Sequence, residues 1–306
     1  MNKPARPRIA VLALGLMGSA VAKRLVDTGW QPTVWNRTPG RVDSLIEAGA
    51  QAAPTAEAAW RDAEIIFMVP ISYQAGFDIL GGRDAAADFR GKTFVQLANG
   101  GADDAREFGD WMTRRGAKYL DANIFSYPDA VGDPNSLVVY CGAEKTFRDA
   151  KPVFDSLSDR VVHASENPAT GNAITMAMST FVYGALAAFF QASLMCEAEG
   201  EDLGALFSII QGSQPETDGI FQAVVKVGQT NPRLTPAIRA SLWTHLNALE
   251  SAFKSTEGKG FDTRIIRQTL EVFQRLAADG YGDSDIEFAY LGMRPSPAPT
   301  PIPGGA

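Results

Sequence analysis

IAVLALGLMGSAVAKRLVDTGWQPTVWNRTPGR, residues 9–41, sets an apolar run, a glycine turn, an amphipathic stretch and a second β-rich run in sequence. The turn Ala13, Leu14, Gly15, Leu16, Met17, Gly18 follows the GxGxxG pattern with alanine in the first place. In that pattern the first glycine serves a tight turn, the second lets backbone approach a pyrophosphate, and the third lets helix and strand pack closely. Only the turn-forming element is weakened here. The turn follows the first expected strand and opens a helix, so a helix N-terminus faces any bound phosphates. Leu14, Gly15, Leu16 and Met17 are therefore expected against a dinucleotide. The second strand ends in Trp35, Asn36, Arg37, Thr38, with Arg41 shortly after, where an acid would hold the ribose 2′-hydroxyl of NAD. Two guanidiniums and a hydroxyl suit a 2′-phosphate instead, so NADPH is expected over NADH.

Outward from this unit, short β-branched runs recur at Glu64–Val69, Thr93–Leu97, Tyr119–Asn123, Ser136–Cys141 and Arg160–His163, with helical patterns in most gaps. The rhythm predicts an α/β fold whose N-terminal domain is a Rossmann-type doubly wound, largely parallel sheet. From Asn167 onward Ala, Leu, Phe and Gln recur at helical spacing with no convincing strand, which predicts an all-helical C-terminal domain. The expected division is 1–165 for cofactor binding and a helical 166–292. Residues 293–306, ending PSPAPTPIPGGA, form a proline-rich tail expected to be disordered.

The chain has 306 residues, 45% hydrophobic and 21% charged, which is the balance of a folded protein of about two domains. Its net charge of −7 repels nucleic-acid backbones and anionic lipid surfaces, so neither is expected as a partner. Cys141 and Cys196 stand far apart, and with only His163 and His245 beside them no zinc site is expected. Residues 1–22 imitate a secretory signal, with Lys3, Arg6 and Arg8 before an apolar run, but Gly15 and Gly18 interrupt that run and favour a buried strand. Ala173 to Cys196 carries no charge over 24 positions. As a helix it reaches about 36 Å, long enough to cross a bilayer. Thr175, Ser179, Thr180, Gln191 and Ser193 make it less apolar than lipid-facing helices, so it is expected to be buried in protein on all sides within a dimer. A cytoplasmic homodimer is the resulting expectation.

The stretch from Ala13 to Arg41, together with Gln96–Gly100 (QLANG), Ile124–Gly132 (IFSYPDAVG) and the helix holding Val182, Tyr183 and Gly184, resembles the imine reductases and reductive aminases. These are relatives of the 3-hydroxyacid dehydrogenases, and the resemblance runs from about residue 8 to residue 291. It implies a long interdomain helix, a helical domain over 166–292 that serves dimerisation and substrate, and a domain-swapped homodimer whose active site lies between the cofactor domain of one chain and the helical domain of the other. It also implies cofactor contacts from Val69, Pro70, Ile71 and Asn99. Hydroxyacid dehydrogenases of this superfamily carry a catalytic lysine where Thr175 stands and a Ser-Gly-Gly segment where Phe125, Ser126 and Tyr127 stand, which disfavours hydroxyacid chemistry. Many imine reductases place an aspartate, tyrosine or asparagine at the Thr175 position.

An alkoxide formed from a ketone needs a proton donor, and Thr175 is a poor acid. An iminium ion is already cationic and is neutralised by hydride, so losing that acid harms C=N reduction less. Thr175, Ser179 and Tyr183 fall at i, i+4 and i+8 on one drifting helical stripe. Tyr183 matches a pocket tyrosine of the family and can donate through its phenol. His245, in an expected helix Pro236–Lys254, lies on a stretch that lines the partner's pocket in relatives. Asp129, after Pro128, is expected beside the nicotinamide as an anion facing a cationic substrate. The leading expectation is NADPH-dependent reduction of cyclic or preformed imines, extending to reductive amination of an amine with a carbonyl compound. The alternatives are an NADPH-dependent dehydrogenase of small hydroxy or carbonyl compounds and a non-catalytic NADPH-binding dimer.

Overall fold

The computed structural model describes residues 6–295. Its strands are β1 (Ile9–Leu12), β2 (Thr33–Trp35), β3 (Gln51–Ala52), β4 (Ile65–Met68), β5 (Thr93–Gln96), β6 (Lys118–Ile124), β7 (Leu137–Gly142) and β8 (Arg160–Ser165). They form one sheet in the order β3-β2-β1-β4-β5-β6-β7-β8. Only the β6–β7 pair is antiparallel. Crossing helices are α1 (Leu16–Asp27), α2 (Asp43–Ala48), α3 (Ala56–Arg61), α4 (Tyr73–Ile79), α5 (Ala102–Arg114) and α6 (Glu144–Phe154).

Every residue of β1, β4 and β5 is buried, because helices cover both faces and leave no polar side to alternate with. Successive residues still serve opposite cores. Ile9, Val11, Phe67 and Val95 pack with Val21 and Leu25 of α1 and with Phe147 and Phe154 of α6. Ala10, Leu12, Ile66, Met68 and Phe94 pack on the other face with Trp60 of α3, Phe77 of α4 and Phe108 and Trp111 of α5. β1 stops at Leu12, since Ala13 takes a left-handed φ of 70° and turns the chain away. The edge strand β3 lacks a β-branched run and is exposed, so nothing in its composition marks it.

The second half is helical: α7 (Ala169–Glu199), α8 (Leu203–Gly212), α9 (Gln214–Thr230), α10 (Leu242–Lys254), α11 (Arg264–Leu276) and α12 (Ala289–Gly292). The chain divides into two compact units, the division falling inside α7 after Thr180. In the second unit Leu242 and Leu246 of α10 pack with Leu270 and Leu276 of α11.

One expectation for the helical half is corrected. The helix expected from Pro236 begins only at Leu242, because the N–H groups of Ile238, Arg239 and Ala240 donate to the carboxylate of Asp285 at 3.0–3.1 Å. Those three donors are then taken by a distant side chain, and Ser241 caps the helix by accepting from the Thr244 N–H. Within a single chain α7 is not buried on all sides. It has a mean hydropathy of 1.7 over a membrane-length window, and none of that window is buried. Ile174, Met178, Phe181, Leu186 and Phe190 stand exposed along it. The proline-rich tail beyond Pro295, and Lys3, lie outside the described residues.

Candidate functional site

A cleft of about 440 Å³ opens beyond the carboxyl ends of β1, β2 and β4. That is where open parallel sheets bind ligands, at the point where the strand order reverses. Leu14, Gly15, Asn36, Arg37, Thr38, Arg41, Val69, Pro70 and Ile71 all line it. Trp35 and, from α4, Ala75, Asp78 and Ile79 join them, and the three from α4 carried no motif in the sequence. Leu16 and Met17 instead open α1, and Asn99 follows β5 on an exposed loop; none of the three is on the lining. A larger hollow of about 890 Å³ lies at the opposite strand ends, between Trp30 and Asp62, away from the glycine turn.

The glycines of the turn answer to different constraints. A Cβ on Gly18 would collide with the Ala13 carbonyl oxygen, so the fold itself requires glycine there. A Cβ on Gly15 would meet nothing within 4 Å, so no packing inside the chain explains that glycine. A ligand approaching the backbone at the start of α1 does explain it. Asn36 ties the two halves of the cleft together, accepting from the Leu14 N–H at 2.9 Å and donating to the Thr38 carbonyl at 3.0 Å. Among the described residues, neither Arg37 nor Arg41 has a carboxylate within ion-pair distance, and both are exposed. Two unpaired guanidiniums beside a glycine turn, in a chain of net charge −7, make a cradle for a phosphorylated dinucleotide. Leu16 at 78% and Ile71 at 89% exposure are large apolar side chains left uncovered beside that turn. The residues present fit NADPH.

The catalytic candidates fall on both sides of the division after Thr180. Thr175 lies half-buried in α7, and its hydroxyl donates to the Gly171 carbonyl at 2.8 Å, so its proton is engaged by its own helix. Asp129 sits exposed in the single 3₁₀ turn Pro128–Ala130. In the second unit, Tyr183 is 70% exposed on α7 and His245 is half-buried on α10. Neither side chain makes a hydrogen bond among the described residues, so both are available to a ligand. His163, by contrast, is engaged: its Nε2 lies 2.7 Å from the Gly142 carbonyl.

A buried polar cluster under the same end of the sheet was not signalled by any motif. Asp121 of β6 accepts from the Tyr73 hydroxyl of α4 at 2.5 Å and from the Tyr119 hydroxyl at 2.7 Å. Asn172, on the first turn of α7, donates to Asp121 Oδ1 at 3.3 Å and to the Tyr73 hydroxyl, and accepts from Asn123 Nδ2 at 3.0 Å. Burial pushes the Asp121 carboxyl up to about 7, against the opposing pull of the two phenol hydrogen bonds. The cluster's members come from residues 73 to 172, so no local pattern reveals it.

Residues 8–165 match the family model described as the NAD binding domain of 6-phosphogluconate dehydrogenase. The NADPH-dependent reductive aminase of Aspergillus oryzae is 23% identical to this chain, over 91% of this chain and 94% of that protein. The structure of the imine reductase from Myxococcus stipitatus in complex with NADP+ superposes with a TM-score of 0.86 at 27% identity, covering 94% of this chain and all of that one. The reductive aminase from Aspergillus terreus in complex with NADPH and ethyl levulinate shares the fold, with a TM-score of 0.85 at 24% identity over 95% of this chain and all of that one. The chain therefore belongs to the family of the 6-phosphogluconate dehydrogenase NAD binding domain, and within it stands with the imine reductases and reductive aminases.

Proposed function

We propose that the protein uses NADPH to reduce imines, cyclic or preformed, to amines, and that it also accepts an amine together with a carbonyl compound. The observation that carries this reading is the pairing of two free guanidiniums beside the glycine turn with a threonine, Thr175, where related carbonyl chemistry needs an ionisable group. Arg37 and Arg41 hold the 2′-phosphate, the α1 N-terminus and the Gly15 backbone hold the pyrophosphate, and Val69 to Ile71 wall the cleft. Bound there, the cofactor supplies hydride to the C=N carbon. Tyr183 donates a hydrogen bond that orients the substrate nitrogen, and His245 hands a proton to the product amine. Asp129 offers an anion to a cationic substrate. Because an iminium loses charge on reduction, positioning in a dry pocket contributes more than proton donation at Thr175.

Residues 1–165 serve the cofactor, and 166–292 serve dimerisation and substrate. The working form is a domain-swapped homodimer, a reading supported by the uncovered apolar face of α7. A second copy, rather than a bilayer, covers that face, since Thr175, Ser179 and Thr180 interrupt it. The free thiols of Cys141 and Cys196 fit the reducing cytoplasm.

The test is NADPH consumption with a panel of cyclic imines, run beside small ketones and 3-hydroxyacids with NADP+. Turnover of imines above ketones is expected. Oxidation of hydroxyacids in preference to imine reduction, or tight NADPH binding with no turnover of any compound, overturns the reading.

A further inference from the structure

Asp121 is fully buried, yet among the described residues no lysine, arginine or histidine pairs with it. The titratable groups around it are Tyr119 on its own strand, Tyr73 from α4, Cys141 across the β6–β7 pair, and Asp104 of α5 acting on Tyr73. All are acids, thiols or phenols. An ionised carboxylate only accepts, and here three donors face it: two phenol hydroxyls and the Asn172 amide. Asn172 is the member that belongs to α7. It stands three residues before Thr175, and the neighbouring Gly171 carbonyl is the group to which Thr175 donates. Gly171 is itself pressed against Asn123 Oδ1, so closely that a Cβ would have no room. The first turn of α7 is thus fixed by one buried carboxyl and the donors around it, not by apolar packing alone.

We propose that Asp121 is a positioning residue for imine reduction, acting through Asn172 to fix the first turn of α7 and with it the setting of Thr175 against the substrate. The inference rests on the imine-reductase reading. Protonating the cluster converts an acceptor into a donor where every neighbour already donates, which weakens the hold on Asn172. Ionised Asp121 is the working form, and activity rises as the cluster loses its proton near neutral pH.

The experiment measures NADPH affinity and the pH dependence of kcat/KM for a cyclic imine in the parent, Asp121→Asn, Asn172→Ala and the double variant. Asp121→Asn is expected to lose about tenfold in kcat, with NADPH affinity within twofold of the parent, and to lose the rise in activity near neutrality. Asn172→Ala is expected to lose a similar factor, and the double variant no more than the worse single one, because the two act in series. If Asp121→Asn does not fold, Tyr73→Phe combined with Asn172→Ala takes its place in the same cycle. An unchanged pH profile, additive losses in the double variant, or NADPH affinity falling in step with kcat each overturns the proposal. A parent that binds NADPH and reduces no imine at any pH refutes the functional reading instead.

Discussion

Gly15 and Gly18 stand three residues apart and are held by different demands, one from a ligand and one from the fold. Gly18→Ala is expected to prevent soluble expression or lower Tm sharply, since the Ala13 backbone has nowhere to go. Gly15→Ala is expected to keep its melting temperature and lose NADPH affinity, measured by fluorescence titration. Ala13 carries the opposite imbalance: its φ of 70° is a conformation that costs an L-residue about 1–2 kcal/mol, so Ala13→Gly is expected to stabilise the protein by up to about 1 kcal/mol after glycine's extra chain entropy is deducted. Arg37→Ala and Arg41→Ala are each expected to weaken NADPH binding about tenfold and leave NADH binding nearly unchanged, because each removes one charge-assisted contact to the extra phosphate. Asp121 adds a pH signature. With its carboxyl raised to about 7, the folded protein holds a proton that the unfolded chain has already released, so this group's contribution to stability declines as pH rises from about 4 to about 7. Denaturant titrations of the parent and Asp121→Asn across that range should show the decline only in the parent.

At the level of elements, legibility followed how local the determining forces are. β1, β4 and β5 were readable because a strand covered on both faces is a continuous apolar run. That the glycine turn and Arg37 share one cleft was readable because they follow consecutive strands of one βαβ unit. The start of α10 was not, because the residue that diverts 236–241 from a helix is Asp285, more than forty positions away. The same holds for the Asp121 cluster, whose donors come from α4, β6 and α7, and for the α4 side of the cleft at Ala75, Asp78 and Ile79. Burial raises the Asp285 carboxyl, but the three backbone N–H groups outweigh it and hold the group below its ordinary range. Its stabilising contribution is complete at neutral pH and lost as pH falls below about 4. Asp285→Ala is expected to lower Tm by roughly 5 °C, since it leaves three partly buried donors without an acceptor.

For the whole molecule, the exposed apolar side chains of α7, with Phe207 and Ile209 of α8, exceed what a solitary soluble chain ordinarily leaves open. Sedimentation velocity is expected to give a dimer, and Leu186→Glu with Phe190→Glu to give a monomer without turnover. If a swapped dimer draws each active site from both subunits, two crippled proteins should rescue one another. Arg37→Ala/Arg41→Ala carries its lesion in the first unit and His245→Ala in the second, on either side of Thr180. Unfolded together and renatured as a mixture, they would form hybrids in which one of the two centres inherits both lesions and the other inherits neither. About a quarter of all centres would then be intact under random pairing, and activity would reappear in a tube where each ingredient alone has little.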